Sequence, residues 1–292
     1  MDLSIVIVSY NTRDLLRACL RALPAATEGL TVETFVVDNA SPDESAAMVA
    51  AEFPGVHLIA NRENAGFTRA NNQSLRLSAG RNVLILNPDT EPEPGSLTTL
   101  VRYLDTHPEV GAVGPKLLNS DGTLQHNGRR FPTPWREFLG HSGLRNLNRA
   151  AFDRVLHFGR DNFDVEWETD EVSGACLMLK HTVMDQVGML DEDFFMFYEE
   201  IEWCWRIRKA GWKVMYVPQA RVVHHWMASV RQQNWAMTAR LFQSALIYYK
   251  KTAGLSSQLA IRLVMLIGLT KNEFLRLGVA VKRRLRRVGL VR

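Results

Sequence analysis

The sequence predicts an α/β fold, a mostly parallel sheet flanked by helices with a helical appendage at its C-terminal end. Three observations carry this expectation. Short apolar runs rich in β-branched residues recur through the first hundred residues, stretches with helical spacing separate them, and the charge changes sign near residue 230. Of the 292 residues, 46% are hydrophobic, 23% charged and 9% aromatic. That composition excludes a disordered polymer, a collagen-like repeat and a bare coiled coil. The length suffices for one large domain with a sizeable core and an appendage.

The elements follow in order. Leu3–Val8 is the pattern of a strand buried on both faces. From Thr12 to about Ala22, Leu15, Leu16, Cys19 and Leu20 keep helical spacing, and Pro24 lies just beyond. Phe35-Val36-Val37 is a second strand ending at Asp38; Ser41 then offers a cap for a helix with Pro42, Asp43 and Glu44 in its first turn. Val56–Ala60 is a third strand, Phe67–Ser78 a helix, and Val83–Leu86 a fourth strand ending at Asn87-Pro88-Asp89. Four strand–helix alternations predict a sheet covered on both faces. Residues 119–170 show no sustained period and read as irregular structure over the sheet, able to form an acceptor pocket or lid. Ala175–Leu179 and Lys213–Val217 are strand-like, Glu199–Ala210 is helical, and three helical stretches follow Trp235.

Charge and cysteines bound the setting. Residues 230–292 hold 13 Lys/Arg and one acid, Glu273, for net +12; the other 229 residues hold 22 basic and 30 acidic ones, net −8. An acidic body argues against nucleic-acid binding as its role and leaves the basic tail to be explained separately. Cys19, Cys176 and Cys204 are odd in number and widely spaced, which fits neither a disulfide scaffold nor a zinc site and points to a reducing compartment. The chain runs straight into Leu3–Val8 without the features of a secretory signal. A cytoplasmic location is expected.

In such sheets ligands bind beyond the carboxyl ends of the strands. Those ends carry Ser9-Tyr10-Asn11, Asp38-Asn39, Asn61–Asn64 and Asn87-Pro88-Asp89, all polar apart from the proline and able to meet a base or ribose. Neither G-x-G-x-x-G after the first strand nor G-x-x-x-x-G-K-[ST] occurs, so no glycine loop cradles phosphates. A carboxylate at Asp89 opposite a nucleotide can hold Mg²⁺ or Mn²⁺, whose shell phosphate oxygens and water complete. Asn-Pro-Asp-Thr is equally good turn chemistry. Asp191–Glu202 packs six acids and four aromatics into twelve residues. Carboxylates beside aromatics tend to have raised pKa values, which suits a general base, although acids at a helix start also satisfy its dipole. Glu199 and Glu202 fall on one helical face, and Glu200 projects about 100° away. His224-His225 closes a strand, where a histidine can be structural or a metal ligand.

Five motifs in this order (Ser4–Asn11, Val36–Ser41, Asn61–Phe67, Leu86–Asp89 and Phe194–Glu202) resemble the inverting family 2 glycosyltransferases of GT-A fold, especially the bacterial rhamnosyltransferase-like branch. The resemblance covers residues 3 to about 229 and implies a catalytic domain over 1–229. It implies that Ser9, Tyr10, Asn11, Asp38 and Asn39 line a nucleotide pocket closed by Asn64, Gly66, Phe67 and Asn71. Asn87-Pro88-Asp89 stands where the family has Asp-x-Asp, leaving Asp89 as a ligand for Mg²⁺ or Mn²⁺, and His224 matches the second ligand, with His225 the nearby alternative. Gly174 and Ala175 fall beside the donor sugar, and Trp203 to Arg206 continue the catalytic helix. Glu200 falls at the general base, with Glu199 the adjacent alternative. The family's Glu-Asp-x-Asp reads Glu199-Glu200-Ile201-Glu202 here, and the longer glutamate requires the backbone to stand back.

The implied reaction moves a sugar, rhamnose from dTDP-rhamnose by the branch, onto a glycan or lipid-linked glycan hydroxyl in cell-surface polysaccharide synthesis. A sugar nucleotidyltransferase would need an early basic Gly-rich loop; a non-catalytic sugar-nucleotide-binding module would keep the pocket and lose the base. Residues 230–292 mix basic residues with Leu, Val and Ile, including Leu259–Leu269 and Lys282–Arg287. They suit helices lying on an anionic membrane surface, here the inner face of the cell membrane. Packing on the acidic body or a homodimer interface are the competing uses.

Overall fold

All seven residues of Leu3–Ser9 (β1) are buried. In the computed structural model, which describes residues 1–142, 149–157, 162–225 and 235–266, this strand separates two apolar layers. Leu3, Ile5 and Ile7 pack with Leu16, Cys19 and Leu20 of Arg13–Ala26 (α1). Val6, on the opposite face, joins the cluster that contains Leu75, Trp203 and Ile207. Alternate side chains therefore leave the solvent on both faces, which a central strand without charged residues requires.

Val32–Asp38 (β2), Ser45–Glu52 (α2), His57–Ala60 (β3), Phe67–Leu75 (α3) and Asn82–Leu86 (β4) follow. Next come Thr90–Pro92 (β5), Ser96–Thr106 (α4), Val110–Leu118 (β6) and Leu124–Gln125 (β7). The chain continues through Pro134–Ser142 (α5), Arg149–Leu156 (α6), Trp167–Thr169 (β8), Cys176–Lys180 (β9) and His181–Val187 (α7). Glu199–Lys209 (α8), Lys213–His224 (β10) and Trp235–Thr252 (α9) complete the named elements, and residues 255–266 are helical.

The sheet order is β3-β2-β1-β4-β9-β6-β10-β5, with β7 on β6 and β8 on β10. Pairing is parallel from β3 to β4, as the alternation predicts. Beyond β4 the sheet is mixed: β9 lies antiparallel between β4 and β6, and β10 runs parallel to β6 but antiparallel to β5 and β8. An apolar run does not encode strand direction, so this reversal had no signature in the sequence.

Three local boundaries differ from the sequence reading. Pro24 lies inside α1, which runs on to Ala26. Ser41 caps no helix: its hydroxyl accepts the Asn11 N–H, and α2 starts at Ser45, whose N–H and hydroxyl both turn to Asp43. Residues 119–170, read as irregular, contain β7, α5, α6 and β8.

Two compact units emerge, Met1–Phe131 with Arg160–Ala245 and Pro132–Gly159 with Leu246–Arg292. The first holds the sheet. Among the described residues, no helix is long and apolar enough to cross a membrane. Lys282–Arg287 and the end of Leu259–Leu269 lie outside the described residues.

Candidate active site

Register brings the polar strand ends together. Ser9 pairs with Asp38 and Ile7 with Leu86, so Asp38, Ser9–Asn11 and Asn87 leave three adjacent parallel strands at one edge. Asn11 and Ala40 turn the chain there with φ of 56° and 64°, a region costly for residues with a Cβ. Asp38 is buried; its Oδ2 accepts the Ser41 N–H, and its Oδ1 has no partner. Tyr10 stands exposed at the rim, and the Ser9 hydroxyl bonds Thr12.

The asparagines largely build the wall. Asn39 Nδ2 donates to Asn64 Oδ1 and the Gly66 carbonyl, while Asn39 Oδ1 accepts from Asn61 Nδ2 and the Ala65 N–H. Asn71 Nδ2 donates to the Phe67 carbonyl, leaving its Oδ1 buried without a partner. The Phe67 N–H bonds the Phe195 carbonyl at 2.8 Å. Gly66 has φ of 86°, and a Cβ there would come within 2.8 Å of Phe195, so glycine is required on both counts.

Asp89 and His224 meet although they belong to different segments. β5 pairs with the end of β10, placing His224 opposite Thr90. His224 Nε2 lies 3.3 Å from Asp89 Oδ1, and both side chains are buried. Gln125 Nε2 donates to Asn119 Oδ1, which turns Gln125 Oε1 toward His224 Nδ1 at 2.6 Å. The Nδ1–H therefore donates to Gln125 and leaves Nε2 facing Asp89, the ring orientation a metal-ligating histidine adopts. His225 turns the other way: its ring contacts Glu91 and Ser120 at 2.7 Å, and its N–H bonds the Asp89 carbonyl. One carboxylate plus one oriented imidazole fits Mg²⁺ or Mn²⁺ with a shell completed by phosphate and water. Among the described residues, no third His, Cys, Asp or Glu joins them.

The acidic cluster divides by function. Glu192 is held ionised by Asn72 and Arg76, which pull its pKa below the usual range. Glu202 is buried and bidentate to Arg206 Nε at 2.9 Å, and Arg206 in turn ties down the carbonyls of Val187, Gly188 and Met189. Those two acids are structural. Phe197 and Tyr198 both take positive φ, 73° and 68°, immediately before α8, an unusual strain for consecutive aromatics. They deliver Glu199 into the interior, where burial and then the charge of Glu200 raise its pKa well above normal. Burial likewise raises Glu200, while Arg129 and backbone N–H groups pull it back. Glu200 lies against Gly174, where a Cβ would touch its side chain at 3.4–3.7 Å. The neighbouring Ala175 carbonyl accepts the Asn87 N–H, joining the base candidate's surroundings to the end of β4.

Three residues at this site carried no signal in the sequence: Gln125, Arg129 and Glu171. Arg129 and Glu171 form an antiparallel bridge and an ion pair of 2.9 Å, with Glu171 buried. Gln125 and Arg129 lie in the stretch without periodicity and Glu171 just beyond it, and only the pairing of strands and the isolated bridge give them a place.

A sequence model described as glycosyl transferase family 2 matches residues 4–188. A Mycobacterium tuberculosis protein named N-acetylglucosaminyl-diphospho-decaprenol L-rhamnosyltransferase is 31% identical over 238 residues, 76% of each chain. The low-salt glycan biosynthesis hexosyltransferase Agl10 of Haloferax volcanii is 30% identical over 212 residues, 71% of this chain and 62% of its own. In fold, the chain is similar to a mannosyltransferase from Pyrobaculum calidifontis solved with GDP-Man and Mn²⁺, with TM-score 0.55 and 16% identity over 92% of this chain and 86% of the other. It is also similar to GalNAc-T7 solved with UDP, GalNAc and Mn²⁺, with TM-score 0.54 and 16% identity, covering 77% of this chain and 44% of that one. The sheet is thus that of the GT-A glycosyltransferases, and over most of its length the chain belongs to glycosyl transferase family 2, as a glycosyltransferase of the rhamnosyltransferase-like branch.

Proposed function

We propose that this enzyme transfers rhamnose from dTDP-rhamnose, with inversion, to a hydroxyl of a glycan or lipid-linked glycan during cell-surface polysaccharide synthesis. The rhamnosyltransferase relative, aligned over 76% of both chains, supports the donor and acceptor classes. The observation that carries the metal-assisted chemistry is the buried Asp89–His224 contact of 3.3 Å, with the imidazole oriented by Gln125.

Residues 1–229 hold the chemistry in this reading. Asp38 Oδ1, buried and without a partner, is available to accept a base N–H. Ser9, Tyr10 and Asn11 border the same pocket, whose wall Asn39, Asn64, Gly66, Phe67 and Asn71 maintain. Asn87, Gly174 and Ala175 flank the sugar. Asp89 and His224 hold Mg²⁺ or Mn²⁺, which when bound neutralises charge on the leaving diphosphate. Glu200 accepts the acceptor hydroxyl proton as the new C–O bond forms and the anomeric C–O bond to phosphate breaks, releasing the nucleoside diphosphate. Its pKa, raised by burial, strengthens it as a base, and that of Glu199 beside it is raised well above normal by burial and by the charge of Glu200.

Residues 230–292 provide attachment to an anionic membrane face. Leu255, Leu259 and Leu263 are 70%, 56% and 61% exposed at four-residue spacing along helical residues 255–266. Lys250, Lys251 and Arg262 accompany them, and residues 267–292 add eight more basic residues against Glu273. Such an excess of positive charge favours an anionic bilayer over a second copy of the same tail.

Thermal shift with nucleotide-sugars and Mn²⁺ tests the donor. A donor present at 100 times its Kd adds about 2.7 kcal/mol of stability, and dTDP-rhamnose is expected to exceed UDP- and GDP-sugars. No shift with any deoxythymidine nucleotide would remove the proposed donor.

A further inference from the structure

We propose that Arg240 and Ser244 are positioning residues for the donor pocket: from α9 they fix Phe195 and Met196, and that segment in turn fixes the Gly66–Phe67 corner of the nucleotide wall. The proposal rests on that wall binding a nucleotide, and the experiment below separates the two.

The contacts form an unbroken series. The guanidinium carbon of Arg240 stands 3.5 Å from the centre of the Phe195 ring. One turn on, the buried Ser244 hydroxyl donates to the Met196 carbonyl at 2.7 Å. Residues four apart share a helix face, so α9 grips two adjacent residues of the segment with a ring contact and a hydrogen bond. Phe195 also serves the wall. Its carbonyl accepts the Phe67 N–H at 2.8 Å, and its ring lies so close to Gly66 that a Cβ there would come within 2.8 Å. Gly66 in turn offers its carbonyl to Asn39 Nδ2, on the residue that follows Asp38. Arg240 and Ser244 both belong to the unit that holds the sheet.

The segment needs such support. Phe197 and Tyr198 take φ of 73° and 68°, and backbone of that kind persists only where its surroundings hold it. Phe194, buried and bonded through its N–H to the Asp191 carbonyl, anchors one end, and α8 begins at the other. Between them, Phe195 and Met196 are the residues that α9 grips. A cation over an aromatic face is attracted by the ring quadrupole, so the contact specifies a position and is lost with the charge. Were the segment to shift, the wall would lose the acceptor of the Phe67 N–H and the ring beside Gly66 together. Apparent nucleotide affinity then falls with the fraction of molecules whose wall is in place.

Packing of α9 that served stability alone would leave the wall as it is. Hydrogen exchange of the full chain, read in the peptide spanning 61–71, reports on the Phe67 N–H without a nucleotide. Arg240→Met and Ser244→Ala should each speed exchange there by about fivefold while β9 exchanges as in wild type. Arg240→Lys, which keeps the cation, should restore most of the protection. Calorimetry with dTDP, UDP and GDP in the presence of Mn²⁺ gives the second reading. For whichever nucleotide the wild type takes, the same two variants should bind about fivefold more weakly. Gln243→Ala, at an exposed position of the same helix, should match wild type in both measurements. Unchanged exchange at 61–71, equal acceleration across β9, or unaltered nucleotide affinity overturns the proposal. Should Arg240→Met fail to fold, Ser244→Ala decides by the same readings. Should wild type bind none of the three nucleotides, the nucleotide reading of the pocket falls, and exchange at 61–71 alone upholds or overturns the brace.

Discussion

His224 reaches Asp89 across 135 positions of sequence, its Nε2 3.3 Å from the carboxylate, while the adjacent His225 faces Glu91 instead. The alternation of a strand accounts for the difference: successive side chains point to opposite faces, so only one of two neighbouring histidines can face Asp89.

Removing either member of that pair should abolish metal-assisted turnover. Asp89→Ala and His224→Ala are each expected to lower kcat by about 10²-fold or more, and excess chelator should do the same to the wild type. His225→Ala should retain most of the activity, since its ring contacts lie elsewhere. Initial rates with and without added Mn²⁺ provide the check. Wild-type rates that survive chelation would count against the metal.

Arg206 is expected to matter for stability first. It serves buried Glu202 and three carbonyls of the turn after α7, so Arg206→Met leaves a buried carboxylate uncompensated. A loss of about 3 kcal/mol in urea unfolding is expected. A variant as stable as wild type would show that the pair contributes nothing.

Glu199 makes stability depend on pH in a definite direction. Its folded-state pKa lies well above the normal value because of burial and Glu200. The folded protein thus holds a proton that the unfolded chain releases near pH ~4.3, and this contribution declines as pH rises above that value. Thermal midpoints between pH 5 and pH 8 should fall more for wild type than for Glu199→Gln, measured at constant ionic strength. Parallel curves would contradict the assignment.

The leucine stripe should govern membrane attachment. Replacing Leu255, Leu259 and Leu263 together with serine is expected to weaken sedimentation with vesicles rich in anionic lipid, by about 1 kcal/mol or more per side chain. High salt should weaken the wild type as well. Binding that is equal to neutral and anionic vesicles would argue for a different use of the tail.

Much of the parallel half of the fold was legible in the sequence, because a strand buried on both faces must be apolar and β-branched and its neighbours must follow helical spacing. β9 was legible as a strand but its antiparallel course was not, since reversing a fully apolar run changes no residue. Asp89 stood out as an acid directly after an apolar strand, whereas Glu200 was one of six acids in Asp191–Glu202 and was singled out only through resemblance to a family. The partnership of Asp89 with His224 came only through resemblance to a family. Gln125, Arg129 and Glu171 stayed invisible because their roles arise from the pairing of β6 with β7 and from an isolated bridge, features without a periodic pattern. Ser41 illustrates the opposite error: a sound capping signal lost to Asn11 and Asp43, which engage the same turn.

The Arg129–Glu171 bridge has an evolutionary corollary. It clasps the two ends of the chain between residues 130 and 170, so lengthening or exchanging what lies between them adds only a slowly growing closure entropy. A lineage can therefore rebuild the part of that excursion that carries α5 and α6, like a cassette on a fixed clip, while β8 stays paired with β10. The clip itself cannot be traded so freely.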